Sequence, residues 1–439
     1  MVPVSRTSTP EPPVEPAADE EEGLHRYHIG GFHPVMGDTR RYGWSEIKSK
    51  SIHSTFTPQD LNSDRAARDK KLWAMKVLSA ECYGAGTDIF ELEILQHLKK
   101  VDIKHAGYQY ISTLADSFTH EGPNGSHVCL IFKVMGESFS TFRHWFQNGK
   151  VLSQVAAKFA TQILQALDYA HTCGVIHTGK SLNSIIKCSV VSIMLLDIQP
   201  GNIMIQVPDE SLINGYLEST LSETSVIQEA TQGTSQDVSP EASEYTIIPT
   251  QSLRDYYFPD EGFNIMTLDI ALSDWGVASW TNNHLTDLIQ PVLLRSPEVM
   301  LEAPWGPSTD IWNLGALVPE FIYNQSMFSG KTEAGEYSFA RHLEEMTKLL
   351  GPFPSGLLEK GNQKLVKDTF DSEGNILEPK MKSFVGLDVR YSDMEDVERE
   401  EFTAFTKVLM CLDPEKRKSA KELLDEAWLN HPWGGKMEG

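Results

Sequence analysis

The first third of the chain switches between strand-like and helix-like spacing of apolar residues. Residues 72–78, Leu-Trp-Ala-Met-Lys-Val-Leu, show the alternation of a half-buried strand. Residues 128–134 form a more continuous apolar run, which predicts a second strand. Between them, residues 88–98 begin with an acid and predict a helix, because apolar side chains recur at helical spacing (Ile89, Leu92, Leu95 and Leu98).

The rest of the folded sequence has a mostly helical pattern. Residues 153–170 carry one apolar stripe, and we expect Ser153 to cap this helix and Gly174 to end it. The apolar spacing typical of a folded segment returns at residues 265–280. It continues, mostly with helical period, to about residue 433. A strand-rich part followed by a helical part predicts an α+β protein with two lobes.

Two stretches lack such a pattern. Residues 1–22 hold five prolines, six acids and one arginine, which is typical of a disordered leader. Residues 207–262 hold eleven acids and a single arginine, and they predict an acidic, mobile insertion inside a folded domain.

Composition narrows the class of protein. Hydrophobic residues make up 40% of the 439, which is enough for a large core. The formal charge of −23 argues against a surface that follows nucleic-acid phosphates and favours cationic partners. No apolar run approaches the roughly 18 residues of a membrane span. The five scattered cysteines have no metal-site spacing and suggest reduced thiols in the cytosol or nucleus.

Four separated fragments carry residues suited to chemistry. Lys76 lies in the middle of the first predicted strand, and Glu91 lies on the helix that follows. Residues 197–202, Asp-Ile-Gln-Pro-Gly-Asn, place a carboxylate and an amide across a tight turn. Residues 272–276, Leu-Ser-Asp-Trp-Gly, place Asp274 after a short apolar strand, with a glycine two residues later to allow a tight turn.

Each fragment alone has an ordinary explanation, such as a solvated strand lysine, a surface acid on a helix or a simple turn. Together and in this order they supply what phosphoryl transfer requires. That chemistry uses a lysine for the α- and β-phosphates, a glutamate to hold it, a base for the accepting hydroxyl and two metal ligands.

Further motifs resemble those of the SR-protein kinases, a family of eukaryotic protein kinases, and especially of its fungal members. The first is Tyr27-His-Ile-Gly-Gly-Phe-His-Pro-Val35, followed by Gly37-Asp38, which resembles the family's entry into the small lobe. The second is His177-Thr178 ahead of Asp197, where most kinases have His-Arg-Asp. The third is the acidic stretch that splits the large lobe.

Three motifs of the C-terminal half agree with this resemblance. Arg295-Ser-Pro-Glu298 resembles the Ala-Pro-Glu that closes the activation segment, and Asp310-Ile-Trp-Asn-Leu-Gly315 resembles the central helix of the large lobe. Asp413-Pro-Glu-Lys-Arg417 resembles the segment whose arginine pairs with that glutamate. The resemblance therefore implies a buried ion pair between Glu298 and Arg417.

The resemblance also implies a bilobal kinase fold, a small antiparallel-sheet lobe with one key helix over a larger helical lobe, with ATP and Mg²⁺ as cofactors. Lys76 would contact the phosphates and be oriented by Glu91, and Asp197 would accept the proton of a substrate Ser or Thr. The other implied site residues are Gln199 beside the transferred phosphate, Asn202 and Asp274 as Mg²⁺ ligands, Gly43 in the flap over the nucleotide, and Phe132, Val134 and Met135 around the adenine.

By the same resemblance the chain divides into an acidic, Pro-rich leader (1–23), a small lobe (24–132), a hinge (133–138) and a large lobe (139–435). Arg/Ser-rich proteins are the implied substrates. No direct nucleic-acid or membrane partner is expected, and we expect a monomer in the cytoplasm, the nucleus or both. Thr178 replaces the arginine that usually pairs with a phosphorylated activation segment, so we expect activity without that phosphorylation.

Three features depart from the family pattern. Gly43 is the only glycine between Asp38 and Tyr83, where the family's flap carries several, and residues 46–71 lack a hairpin signal. Eighteen residues, 179–196, separate Thr178 from Asp197. They are either a loop that bulges away or the product of an unspliced intron. Gln199 stands where most kinases have a lysine.

These departures leave two hypotheses from different functional classes. The first is an ATP-dependent Ser/Thr protein kinase. The second is a catalytically impaired, kinase-shaped module that docks basic peptides.

Overall fold

The computed structural model describes residues 40–41, 49–51, 73–80, 90–122, 125–178, 198–209, 211–213, 252–257, 263–381 and 384–433. The predicted leader, the insert at 179–196 and most of the acidic insertion lie outside the described residues. Among the described helices, none combines the length and apolar character that crossing a membrane requires.

A five-stranded antiparallel sheet forms the N-terminal lobe, in the order β1-β2-β3-β5-β4. Its strands are β1 Arg40–Arg41, β2 Ser49–Ser51, β3 Trp73–Val77, β4 Leu114–Gly122 and β5 Gly125–Lys133. Helix α1, Glu91–Leu98, packs on the sheet through Ile94, Leu95 and Leu98, which share one core with apolar residues of β3 and β5. This lobe is the strand-rich part that the apolar pattern predicts.

The C-terminal lobe is mainly helical and carries two small sheets. Its strands are β6 Met135–Ser138, β7 Val175–Ile176, β8 Ile203–Gln206, β9 Ile270–Leu272 and β10 Ser279–Trp280. Strands β6, β8 and β9 pair antiparallel in that order, and β7 pairs with β10.

Helices of the C-terminal lobe surround one long buried helix. They are α2 Phe139–Phe142, α3 Ser153–Thr172, α4 Arg254–Tyr257, α5 Pro297–Met300, α6 Ser308–Tyr323, α7 Phe339–Leu350, α8 Ser355–Lys360, α9 Gln363–Thr369, α10 Leu387–Arg390, α11 Asp396–Leu409 and α12 Ala420–Leu423. Thirteen of the 16 residues of α6 are buried, so this helix is the centre of the lobe, as its motif predicts.

The boundaries of α3 correct one prediction and confirm another. Ser153 is the first helical residue rather than the cap, and Leu152 in the cap position makes no side-chain hydrogen bond. The helix is instead held by burial of its apolar stripe, which outweighs a missing cap. Gly174 has φ +74° just after the helix, which is the left-handed conformation that favours glycine.

Strands β2 and β3 correct two further predictions. Residues 46–71 lack a hairpin signal, yet Ser49–Ser51 pairs antiparallel with β3, where Ser49 lies opposite Lys76. A short polar strand carries no apolar alternation, so its pairing with β3 leaves no signal in the sequence. Strand β3 itself is buried at all three central positions rather than at alternate ones, because Met75 packs on the second sheet face while Lys76 faces the interlobe cleft.

Candidate active site

The Lys76 ammonium lies between two carboxylates from distant parts of the chain. Its Nζ donates to Glu91 Oε1 at 2.6 Å and to Asp274 Oδ1 at 3.1 Å. Strand β3 carries the lysine, the first residue of α1 is the glutamate, and the aspartate follows β9. Exposed fractions are only 7%, 3% and 4%, in the order lysine, glutamate, aspartate. The structure thus brings together three residues that sequence reasoning singled out.

The turn after β9 directs Asp274 towards Lys76 and lies close to Glu91. Asp274 itself has the left-handed conformation, with φ 58° and ψ 66°. A Cβ on Gly276 would lie 2.9 Å from Glu91 Oε2 and 3.3 Å from Asp274 Oδ1. The glycine that the sequence predicts for a tight turn is therefore also required by its surroundings. It is needed because a carboxylate lies where its side chain would be.

The electrostatics of the cluster keep the lysine charged. Burial alone would lower the pKa of Lys76, but the Asp274 and Glu91 carboxylates outweigh burial and raise this pKa above its ordinary value. Burial raises the pKa of Glu91, and the neighbouring ammonium opposes that shift. The cleft therefore contains a fixed cation, the group that the phosphates of a nucleotide require.

Asp274 and Asn202 offer oxygen atoms that suit a magnesium ion. Ser273 donates to the Asn202 carbonyl through both its N–H and its Oγ, each at 2.9 Å, which ties the two segments together. Asp274 Oδ2 is buried and has no hydrogen-bond partner among the described residues. Carboxylate and amide oxygens are hard donors of the type that Mg²⁺ takes, so the residues present fit the ion. In the described part of the chain, no group of three or more His, Cys, Asp or Glu side chains forms a metal site.

His177 and Thr178 attach the catalytic-loop side of the cleft to its neighbours. Asp310 accepts from the His177 N–H at 2.9 Å and from the Thr178 N–H at 3.0 Å. His177 Nε2 donates to the Ser273 carbonyl at 2.9 Å, and burial lowers the pKa of His177, which favours this neutral donor form. Thr178 Oγ1 donates to the Val277 carbonyl at 2.7 Å. Asp310 thus positions both residues, a role that its motif alone did not reveal.

The predicted adenine-binding residues lie where the two lobes join. Phe132 is in β5, Val134 follows that strand, and Met135 begins β6; all three are buried. Glu137, two residues further on, was not predicted from the sequence. It is buried, accepts a hydrogen bond from Ser252 Oγ at 2.7 Å, and its pKa is raised by burial. Its only sequence signal is a single acid within a mainly apolar segment.

The remaining predicted site residues are placed less completely. Gln199 is partly buried and immediately precedes the turn Pro200–Asn202. Asp197 and Gly43 lie outside the described residues, and their roles as base and flap glycine stay predictions.

The Glu298–Arg417 pair has the buried geometry that the motifs imply. Arg417 Nη1 and Nη2 donate to the two Glu298 carboxylate oxygens at 2.8 and 3.1 Å, and both side chains are fully buried. Arg417 also donates to the carbonyls of Ser308 and Cys411 and lies over the Trp312 ring. The pair therefore joins α5, α6 and the segment before α12.

Comparisons with known proteins agree with this fold. A protein-family profile described as the protein kinase domain matches residues 262–429. Protein kinase dsk1 of Schizosaccharomyces pombe is 27% identical over 95% of this chain and 86% of its own length. Serine/threonine-protein kinase SRPK of Physarum polycephalum is 27% identical over 93% of this chain and 91% of its own. SRSF protein kinase 3 of Mus musculus is 23% identical over 94% and 91%.

A solved structure supports the fold. The crystal structure of a kinase domain superposes with a TM-score of 0.53 at 19% identity, covering 82% of this chain and 89% of the other. The α+β bilobal fold, the ion-paired lysine and the buried Glu298–Arg417 pair define the protein kinase class. Within that class the chain is similar to SRPK-type kinases over nearly its whole length, at 23–27% identity, which agrees with the resemblance of its motifs.

Proposed function

We propose that the chain transfers the γ-phosphate of ATP to Ser or Thr side chains of Arg/Ser-rich proteins. The observation that carries this proposal is the Lys76 ammonium held between Glu91 and Asp274 in the cleft between the lobes. Phosphoryl transfer needs positioning and charge neutralisation more than covalent help, and a fixed ammonium beside a metal-binding carboxylate provides both.

Each residue has one task in this proposal. Lys76 contacts the α- and β-phosphates, Glu91 orients it, and Asp274 with Asn202 holds Mg²⁺. The ion, when bound, neutralises charge on the β- and γ-phosphates. Asp197 accepts the proton of the substrate hydroxyl. Gln199 can donate only a neutral hydrogen bond to the transferred phosphate, which predicts slower chemistry than with a lysine.

A cavity in the large lobe supports a basic protein substrate. Its volume is about 550 Å³, and its lining contains four acids and two bases. These charged residues are Glu333, Glu344, Asp368, Glu378, Arg341 and Lys380. An excess of acids raises the local concentration of cationic peptides, and the chain as a whole carries −23. We further propose that the protein acts as a monomer in the cytoplasm, the nucleus or both.

Contacts within the protein that involve no phosphate support activity without activation-segment phosphorylation. Thr178 bonds to the Val277 carbonyl, and Arg295 Nη2 donates to the Gln290 carbonyl at 3.1 Å. Gln290, with φ 65°, also accepts from the Ser296 N–H at 2.8 Å through its side chain. We therefore expect phosphatase treatment to leave the transfer rate unchanged within about twofold. Loss of activity after the treatment would contradict this expectation.

The direct test is phosphate transfer from labelled ATP to an Arg/Ser-repeat peptide. We expect transfer by the wild-type chain, and loss of most activity in Lys76→Met. A Lys/Ser-repeat peptide of equal length and charge is the matched control, because it separates recognition of arginine from simple charge attraction. Equal rates on both peptides would contradict specificity for Arg/Ser repeats, but they would still support kinase activity.

The docking module is the second candidate. Two observations favour it: the single glycine between residues 38 and 83, and the eighteen residues that separate Thr178 from Asp197. A saturating ligand at about 100 times its Kd stabilises a protein by about 2.7 kcal/mol, so MgATP should raise the melting temperature of a kinase. If MgATP does not raise the melting temperature and no phosphate is transferred to the peptide, the docking module is the remaining candidate.

Deletion of residues 179–196 tests whether the insert displaces Asp197 or bulges away from it. An error of about 1 Å in catalytic geometry costs roughly 100-fold in rate, so a displaced Asp197 predicts much faster transfer after the deletion. Equal rates identify a loop that bulges away. Comparison of transcript with genomic sequence tests the intron itself, and a continuous exon there would contradict the intron.

A further inference from the structure

His97, on the last turn of α1, contacts both the large lobe and the segment that carries Asp274. Its Nε2 lies 2.8 Å from the Cys173 carbonyl, just after α3. Because a carbonyl only accepts, Nε2 carries the proton and donates. The His97 ring packs edge-on against Trp280, with ring centres 5.0 Å apart and an interplanar angle of 83°. That geometry is one of the favourable arrangements for aromatic pairs.

Trp280 connects this contact to the catalytic cleft. It lies in β10, whose register pairs it with Val175 of β7, and it follows Asp274 by six residues. The Thr281 N–H donates to the Gly174 carbonyl at 2.9 Å, which holds the same strand against the end of α3. The strand that leaves the Asp274 turn is therefore fixed on the surface that His97 contacts.

Helix α1 consequently meets the Asp274 segment at both ends. At its first residue, Glu91 bonds to Lys76 and lies against Gly276. At its last turn, His97 reaches Trp280. An eight-residue helix is about 12 Å long, so two attachments at opposite ends limit both its rotation and its tilt. A helix held at one end only retains both freedoms.

A second hydrogen bond at the same end of α1 connects the helix to the large lobe alone. Tyr169 of α3 donates to the Leu98 carbonyl and so anchors α1 on the large lobe. Among the described residues, Tyr169 has no hydrogen bond or ring contact with the Asp274 segment, whereas His97 contacts both the large lobe and that segment. Substituting Tyr169 therefore tests the anchoring of α1 on the large lobe, and substituting His97 also tests the coupling of α1 to the cleft.

We infer that His97 is a positioning residue for phosphoryl transfer, which keeps α1 in the orientation where Glu91 bonds to Lys76. This inference rests on the proposed kinase activity. It gives the activation segment a link to α1 that uses an imidazole and an indole and needs no phosphate.

The test combines His97→Ala, His97→Gln and Glu91→Gln in phosphate-transfer assays. We expect His97→Ala to lower kcat/KM for ATP about tenfold, and His97→Gln, which keeps an N–H donor, to recover a large part. Because His97 acts through Glu91, the double variant His97→Ala/Glu91→Gln should be no slower than Glu91→Gln alone. Additive losses, or full activity of His97→Ala, would overturn the inference.

Tyr169→Phe is the matched control. It removes a hydrogen bond between α1 and α3 and should lower the melting temperature, yet keep kcat/KM within about threefold. A tenfold loss in this variant as well would make helix anchoring, rather than coupling to the cleft, the cause.

Amide hydrogen exchange decides the inference separately from activity. In His97→Ala we expect faster exchange in residues 91–98 and also in residues 275–280. In Tyr169→Phe we expect faster exchange in residues 91–98 only. Unchanged exchange in residues 275–280 of His97→Ala would refute the link. A wild-type chain that transfers no phosphate would instead refute the proposed function, while the exchange result would still test the link.

Discussion

Replacing Arg417 by methionine tests how much of the large lobe depends on the ion pair to Glu298. The change removes two hydrogen bonds to the carboxylate and two more to the carbonyls of Ser308 and Cys411. Glu298 then stays fully buried without its cation. Breaking a buried pair by removing one partner typically costs about 3–5 kcal/mol, and we expect a loss in that range for Arg417→Met.

The double variant Glu298→Leu/Arg417→Met isolates the unpaired charge. Two partly buried carbonyls still lose their donor, at a cost of about 1 kcal/mol each, but no charge remains. We therefore expect the double variant to lose about 2 kcal/mol and to be more stable than Arg417→Met. The free energy of unfolding is measured in urea by tryptophan fluorescence with linear extrapolation.

A surface pair within the same chain is the control. Lys360 and Glu415 form an ion pair with side chains 48% and 73% exposed. Such pairs contribute about 0–1 kcal/mol, so Lys360→Met should stay within that range. The reasoning is refuted if Arg417→Met costs less than about 1 kcal/mol, or if the double variant is the less stable of the two.

Two further predictions concern the cleft and the pH dependence of stability. Gly276→Ala places a methyl group 2.9 Å from Glu91 Oε2 and should displace that carboxylate from Lys76. Loss of a charge-assisted hydrogen bond is worth about 1.5–3 kcal/mol, so transfer should fall about 10- to 100-fold, and a loss under threefold would contradict the contact. Burial lowers the pKa of His342 to about 4, so the unfolded chain binds the extra proton first and stability falls as pH drops from about 6.5 to 4, by about 3 kcal/mol. In His342→Phe this part of the acid sensitivity should be absent, and an unchanged pH profile from urea unfolding would argue against it.

The apolar pattern predicted the architecture because the long elements are driven by burial. Helix α3 and strand β5 bury their apolar residues where the spacing indicated. Strand β2 has no signal in the apolar pattern because a short polar strand is held by backbone hydrogen bonds, which leave no trace in side-chain spacing. Ser153 differs from its predicted role as a cap because a serine can equally begin a helix.

The site was predictable only as far as residue types and their order allow. Lys76, Glu91 and Asp274 could be singled out, because phosphoryl transfer restricts which side chains occur in that sequence. The close approach of Gly276 to Glu91 could not, because the two residues are 185 positions apart and only the folded chain brings them together. The same holds for His97 and Trp280, which carry no motif of their own.

Binding of ATP with and without Mg²⁺, measured by titration calorimetry, tests the central claim most directly. The account predicts that the wild-type chain binds MgATP more tightly than ATP alone. Lys76→Met should bind at least about tenfold more weakly, and Asp274→Asn should lose most of the dependence on Mg²⁺. Lys348→Met, on the exposed face of α7, should bind like the wild type. The claim is contradicted if Lys76→Met and Asp274→Asn both bind MgATP with wild-type affinity.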